Sequence, residues 1–199
     1  MARAPAASPR RAARPPALAL PLATARLRLR EFTAGDLPAV TSWSADEKVT
    51  RHLLFGPRDA AAAGRHLDEI IAAQASRARR FWELAIERTG DGVVIGACDL
   101  TLRSREELEV GYLLARPHWG QGYATEALRA ILGAGFTDLG VARIVASTAV
   151  ENTRSARVLE RAGLRWEALL RAHARGRGRT WDVHVYCVGK EDWQSGQAK

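Results

Sequence analysis

The chain has 199 residues, 47% hydrophobic and 26% charged, with 30 Lys and Arg against 22 Asp and Glu and a formal net charge of +8. That length suits one domain with a sizeable core rather than two, and no apolar run reaches the roughly 20 residues that span a bilayer. The two cysteines, Cys98 and Cys187, exclude a disulfide framework and a cysteine metal cluster, and read as small buried hydrophobes in a reduced, cytoplasmic setting.

Residues 1–24 are rich in Arg, Ala and Pro and contain no acid, the composition of a disordered extension. Arg3, Arg10, Arg11 and Arg14 ahead of an apolar run imitate a secretory leader, but the run is short, is broken by Pro21 and leads directly into a strand. A single domain is expected over residues 25–193, with a tail over 194–199. Arg26-Leu27-Arg28-Leu29-Arg30 alternates as a strand with one wet face. Thr33 to Asp36 offers a capping box before a short helix carrying Leu37, Val40 and Trp43. After Pro57, the residues Ala63, Leu67, Ile70 and Ile71 recur at helical spacing. A three-stranded meander follows: Trp82, Leu84 and Ile86 on one face of the first strand, then Val93 to Leu102, then Leu108, Val110 and Tyr112. Ala127, Leu128, Ile131, Leu132 and Phe136 stripe a long helix that starts at Tyr123. Ile144 to Val150 is a β-branched strand, and Ser155 to Ala162 a short helix closed by Gly163. A hairpin from Leu164 to Val188 turns at Arg175-Gly176-Arg177-Gly178. The predicted order is β-α-α-β-β-β-α-β-α-β-β, an α/β fold.

The densest functional signal is the run Arg116-Pro117-His118-Trp119-Gly120-Gln121-Gly122-Tyr123-Ala124-Thr125-Glu126-Ala127. A strand ends, a glycine-bearing turn follows and a long helix begins. Glycines admit a ligand close to the backbone, and the free N–H groups of a helix start favour an anion such as a pyrophosphate. The run is neither a Walker loop nor a dinucleotide fingerprint, which disfavours ATP and NAD. The Arg171, Arg175, Arg177 and Arg179 cluster has no nucleic-acid motif beside it, so direct nucleic-acid binding is disfavoured.

Upstream stands Glu109-Val110-Gly111-Tyr112, and downstream Glu151-Asn152-Thr153-Arg154-Ser155 and Ala162-Gly163-Leu164. In this order the motifs resemble the GNAT superfamily of N-acetyltransferases, over about residues 25–193. Trp119 departs from the general [RQ]-x-x-G-x-[GA] pattern and resembles the RimJ/RimL-type branch, which acetylates protein N-termini. The resemblance implies a mixed sheet, the GNAT fold, whose fourth and fifth predicted strands splay around acetyl-CoA, with no metal. Backbone groups at Leu113, Leu114 and Ala115 would pair with the pantetheine arm. The turn of Trp119, Gly120, Gln121, Gly122, Tyr123, Ala124 and Thr125 would seat the pyrophosphate. Asn152 would reach the pantetheine, and Ser155 would lie near the sulfur and protonate the leaving thiolate. Glu109, on the face of Gly111, is the expected base. Each has a plainer role open to it: Glu109 in an ion pair, Asn152 as helix cap, Ser155 in first-turn packing.

An amine attacking a thioester needs little covalent machinery. An α-amine, with pKa near 7.7–8.0, is partly neutral at pH 7, whereas a lysine near 10.4 needs about 2.5 units more help. The expected acceptor is therefore the N-terminal α-amine of a protein, a ribosomal one by the branch resemblance. The alternatives are a small amine (antibiotic, polyamine or amino acid) and, in another class, a non-catalytic acyl-CoA-binding module. A weaker alternative is an Arg-mediated RNA-binding protein. The expected state is a monomer or homodimer.

Overall fold

A computed structural model describes residues 17–76 and 79–197. Alternating strands and striped helices resolve into one eight-stranded mixed sheet, ordered β1-β2-β3-β4-β5-β6-β8-β7. In chain order these are β1 (Leu22–Ala23), β2 (Leu27–Glu31), β3 (Phe81–Arg88), β4 (Val94–Leu102), β5 (Glu107–Leu114), β6 (Arg143–Ala149), β7 (Arg165–Gly176) and β8 (Arg179–Gly189). Three helices, α1 (Leu37–Ala45), α2 (Glu47–Thr50) and α3 (Ala60–Gln74), precede β3. Then come α4 (Tyr123–Thr137) between β5 and β6, α5 (Thr153–Ala162) between β6 and β7, and α6 (Lys190–Gln197) at the end. The predicted order holds for the main elements; β1, the single turn α2 and α6 are additions too short or too polar to show in periodicity.

The sheet has an apolar layer on each side. Leu27, Leu29, Trp82, Leu84 and Ile86 pack with Ala127, Leu128, Ile131 and Leu132 of α4 and with Leu159 and Ala162 of α5. On the opposite face Ala85 and Ala97 meet Val40, Trp43, Ala63, Leu67 and Ile70 from α1 and α3. The period-2 pattern of β3 thus has two buried faces, and sequence alternation had shown only the one with larger side chains. Glu87 is buried, and Arg28 and Arg30 hold its carboxylate. Arg30 also bonds both carboxylate oxygens of Asp36 at 2.8 and 2.9 Å, and Asp36 accepts from the Thr33 amide at 2.7 Å, completing the predicted capping box. Burial works against ionisation of Asp36, but the bonds from Arg30 and Thr33 outweigh it and hold the carboxyl below its usual range.

The chain packs before residue 25, where composition had placed the domain start. Leu18, Leu20 and Leu22 pack against the α4-side core, Leu22–Ala23 pairs antiparallel with β2, and the Ala19 amide donates to Asp138 at 3.0 Å. Most of the expected extension, residues 1–16, lies outside the described residues. At the other end α6 continues past 193, and its Trp193 stacks on Phe136 at 6.1 Å between ring centroids. A chain beginning at Arg26 forfeits the contacts of Leu18, Ala19, Leu20 and Leu22, so its melting temperature is expected to fall by roughly 5–10 °C, measured by scanning fluorimetry. No described helix is long and apolar enough to cross a membrane.

Candidate active site

β5 and β6 run parallel as neighbours over only three residue pairs: Glu107 with Arg143, Leu108 with Ile144 and Glu109 with Val145. Beyond Glu109, β5 stays with β4 as far as Leu114, whereas β6 stays with β8 as far as Ala149. The two strands part there; with β1 added to the count they are the fourth and fifth predicted strands, where the family resemblance implied a splay. Backbone polar groups alternate sides along a strand, which decides what faces the gap. The Ala115 amide donates to Ile95 of β4 at 2.8 Å, and the Ala115 carbonyl accepts from His118 at 3.0 Å. Leu113 lies in the same phase, turned toward β4. The backbone facing the gap therefore belongs to Tyr112 and Leu114, and the Leu114 carbonyl already accepts the Trp119 indole N–H at 2.7 Å. Of the three residues expected to pair with a pantetheine arm, Leu114 alone faces the opening; Leu113 and Ala115 have their backbone groups engaged elsewhere.

Below the gap is a cavity of about 330 Å³. Its walls include Trp43 of α1, Ile70 of α3, Ser147 and Thr148 of β6, and Ala174 and Trp181 of the last hairpin; its floor is Glu83, Asp99 and Gly111. Glu83, Asp99 and Gly111 form one cross-strand row on β3, β4 and β5. An added Cβ at 111 would stand 2.5 Å from the Asp99 Oδ1, so the carboxyl occupies the space that the glycine leaves open. The Asp99 carboxyl has no side-chain partner among the described residues; the group that bonds it is its own backbone amide. Burial first, then the negative charges of Glu83 and Glu109, push it up to about 7 against a partial offset from Arg103. Glu83 has His66 of α3 at 3.4 Å.

The expected base fares differently. Glu109 does share the face of Gly111, but its carboxylate is ion-paired with Arg103 and does not line the cavity. Its ion-pair role is the one the structure shows. Asp99 went unnoticed because it sits in an apolar run with nothing around it in sequence; the signal that could have found it was a carboxylate in a buried strand paired with a glycine.

Across the gap, Tyr112 of β5 donates its hydroxyl to the Ser155 Oγ at 3.2 Å. Burial pushes the Tyr112 phenol up to about 12, so it remains a proton donor at neutral pH. Asn152 caps α5, its Oδ1 accepting from the Ser155 amide at 3.2 Å, and it also lines the cavity, so its amide nitrogen remains for a ligand. Tyr112, Asn152 and Ser155 thus gather where the strands separate.

The glycine turn lies at the wide end. Gly120 and Gly122 adopt φ of +74° and +83°, in the left-handed region that glycine enters without penalty. Gly122 is the N-cap of α4 and supplies no side-chain cap, so the amides of Tyr123, Ala124 and Thr125 are uncapped at the positive end of a fifteen-residue helix. Arg154 lies over the Trp119 ring at 5.6 Å, and Arg26 lies over the Tyr123 ring at 4.4 Å. Gln121 turns its side chain back to the Pro117 carbonyl at 2.9 Å. This chemistry fits a diphosphate: free amides, a helix dipole and nearby guanidinium groups. Trp119 contributes by closing the turn onto β5 rather than by offering its own N–H.

The sequence profile of the acetyltransferase (GNAT) domain matches residues 26–165. The p20 N-acetyltransferase of Bacillus licheniformis is 31% identical over 176 residues, 86% of this chain and 97% of that protein. A GCN5-related N-acetyltransferase from Brucella melitensis is similar in structure, with a TM-score of 0.78 at 25% identity over 93% of this chain and 87% of the other. Spermidine N-acetyltransferase from Vibrio cholerae, solved with CoA and spermine, has the same fold, with a TM-score of 0.72 at 20% identity over 86% and 99% of the two chains. The match runs through both parted strands and the turn at α4, and on it the chain belongs to the GNAT family of N-acetyltransferases.

Proposed function

We propose that the protein transfers an acetyl group from acetyl-CoA to the α-amine of a protein or peptide N-terminus, with Asp99 as the base. Acetyl-CoA supplies a thioester-activated acetyl group. The amides at Tyr123 to Thr125 and the turn glycines Gly120 and Gly122 hold its diphosphate. Tyr112 and Leu114 present the open strand edge to its pantetheine arm, with the Asn152 amide beside them. Ser155 accepts a hydrogen bond from Tyr112, which leaves its own hydroxyl proton directed at the cavity to protonate a thiolate. Asp99 takes the proton of the amine that enters from the α1–α3 side.

The observation that carries this reading is the place of the Asp99 carboxyl, on the cavity floor beside Glu83 with no side-chain partner among the described residues, where burial and the neighbouring negative charges push it up to about 7. A base of that strength is matched to an amine of pKa near 7.7–8.0 and poorly matched to a lysine near 10.4. The branch resemblance of the Trp119 turn supports the same acceptor. A second reading, a small primary amine, is favoured by the cavity, whose 330 Å³ and aromatic walls would enclose a compact molecule whole. The test is a screen with labelled acetyl-CoA over N-terminal peptides, internal-lysine peptides blocked at the N-terminus and small amines. Preferred labelling of free N-termini supports the first reading, and preferred labelling of small amines the second. Labelling confined to lysine side chains overturns the pKa argument.

A further inference from the structure

The acceptor cavity has a second polar end. Among the described residues three buried side-chain polar atoms have no hydrogen-bond partner, His52 Nδ1, Arg58 Nη1 and Trp181 Nε1, and all three residues line this one cavity. Buried donors are paired almost without exception, because leaving one unpaired forfeits its hydration with nothing in return. Three residues with such atoms line one cavity, two in the segment between α2 and α3 and one on β8, so a ligand seated there would stand beside donors that the protein leaves unpaired.

We infer that this end is a subsite for a compact anionic group, a carboxylate or phosphate carried by the acceptor itself, a few bonds from its reacting amine. The Arg58 guanidinium stacks on the Phe55 ring at 4.0 Å and has no carboxylate partner among the described residues. The Trp181 residue is 6% exposed, and its indole N–H is shielded from bulk water without a partner. The surroundings are basic. Arg177 approaches the Thr50 carbonyl at 3.5 Å, and Arg179 stacks on Trp181 at 4.4 Å while facing Glu151 at 3.6 Å. His52 is held toward its neutral form by burial and by Arg51 and Arg179, with Glu151 opposing. The other end of the cavity carries the carboxyls of Asp99 and Glu83. A cavity acidic at the floor and donor-rich at its other end fits a molecule with an amine at one end and an anion at the other. An N-terminal peptide meets this with an acidic side chain at its first or second residue, and a small amine meets it with a carboxylate or phosphate of its own.

This inference rests on the acetyl-transfer reading and separates from it experimentally. Paired acceptors are assayed with full-length protein and acetyl-CoA: peptides with Asp or Glu against Asn or Gln at the first two positions, an ω-amino carboxylate against its amide, and an aminoalkyl phosphate against the matching alcohol. A charge-assisted bond to a buried donor is expected to give the acidic member a kcat/KM about tenfold or more above its neutral partner. Arg58→Met is expected to collapse that ratio toward one. Trp181→Phe, which removes the N–H and keeps the ring, is the second variant should Arg58→Met fail to fold, and it too is expected to narrow the ratio. Which pair shows the preference tells a peptide source from a small molecule, and carboxylate from phosphate. Equal rates within every pair, or variants that lower both members alike, overturn the subsite while acetyl transfer stands. If no amine is acetylated, calorimetry of the same pairs on the CoA-loaded protein decides: tighter binding of the acidic member, lost in Arg58→Met, sustains the subsite, and equal binding ends it.

Discussion

Asp99→Asn is expected to lower kcat/KM for the acceptor by roughly 10²–10⁴-fold, the usual contribution of a positioned general base. Acetyl-CoA affinity should be little changed, since the carboxyl lies on the cavity floor and not at the glycine turn proposed to hold the diphosphate. In the unaltered protein the acid limb of the kcat/KM profile should fall near pH 7, because a carboxyl that titrates at about 7 must be ionised to accept a proton. An acceptor of low amine pKa separates this limb from the amine's own titration. The groups that set the limb are Glu83 on β3, with His66 beside it, Glu109 on β5, and Arg103 in the turn before β5. Glu109→Gln removes one of the repelling charges, so it should shift the limb to lower pH and change the plateau rate only a few-fold. A loss for Glu109→Gln as large as that for Asp99→Asn would return the base to Glu109.

The same substitution carries a stability signature of determined sign. The Asp99 carboxyl is raised from 3.8 to about 7 on folding, so the folded state binds more protons than the unfolded chain between those values. Stability is therefore lost as pH climbs from about 4 to 7 and the loss is complete above 7. Asparagine has no such loss. Asp99→Asn should leave the melting temperature near pH 4 almost unchanged and raise it above pH 7, so that the variant is the more stable and the less active protein. A catalytic group held where its charge is disfavoured has this pair of effects; a merely structural carboxylate would lose stability on replacement.

Gly120→Asp is expected to weaken acetyl-CoA binding about a hundredfold or more, read by calorimetry. A Cβ at Gly120 meets nothing within 4 Å, so the substitution fills open space at the turn rather than displacing protein atoms. Asp tolerates the left-handed backbone of +74° better than most residues, which keeps the strain small. The effect is then electrostatic: a carboxylate about 5 Å from a phosphate repels it by roughly 3 kcal/mol at an effective dielectric of 20. Gly122 is the poorer place for this test. A Cβ there would lie 3.4 Å from the Arg26 Nη2, so a new carboxylate would compete with Glu126 for that guanidinium and disturb the start of α4 as well as the charge. An unchanged affinity in Gly120→Asp, with the melting temperature retained, would remove the turn from the cofactor site.

Much of the fold was legible because it is written in local periodicity. The α4 stripe, the β3–β5 meander and the capping box at Thr33 each depend on residues within one element. The Gly120-Gln121-Gly122 turn was legible for the same reason, since backbone conformation and helix start lie within a few positions. Asn152 and Ser155 were placed by motif, and the structure shows the plainer role of Asn152 as a cap beside its place on the cavity.

The chain's amino-acid order by itself determined the types of the main elements, the family and the position of the glycine turn that opens α4, all matters of short-range pattern. Tertiary structure alone decided which carboxylate is free. Glu109 and Asp99 lie on neighbouring strands and on the same face, and it is the register of β4 against β5 that sets Asp99 beside the bare Gly111 while Arg103 takes Glu109. Likewise Arg58 and Trp181, 123 positions apart, share a cavity because the last hairpin folds back over the segment after α2. Charge pairing and burial depend on neighbours through space, and a one-residue slip in register would exchange the faces of every side chain on the strand.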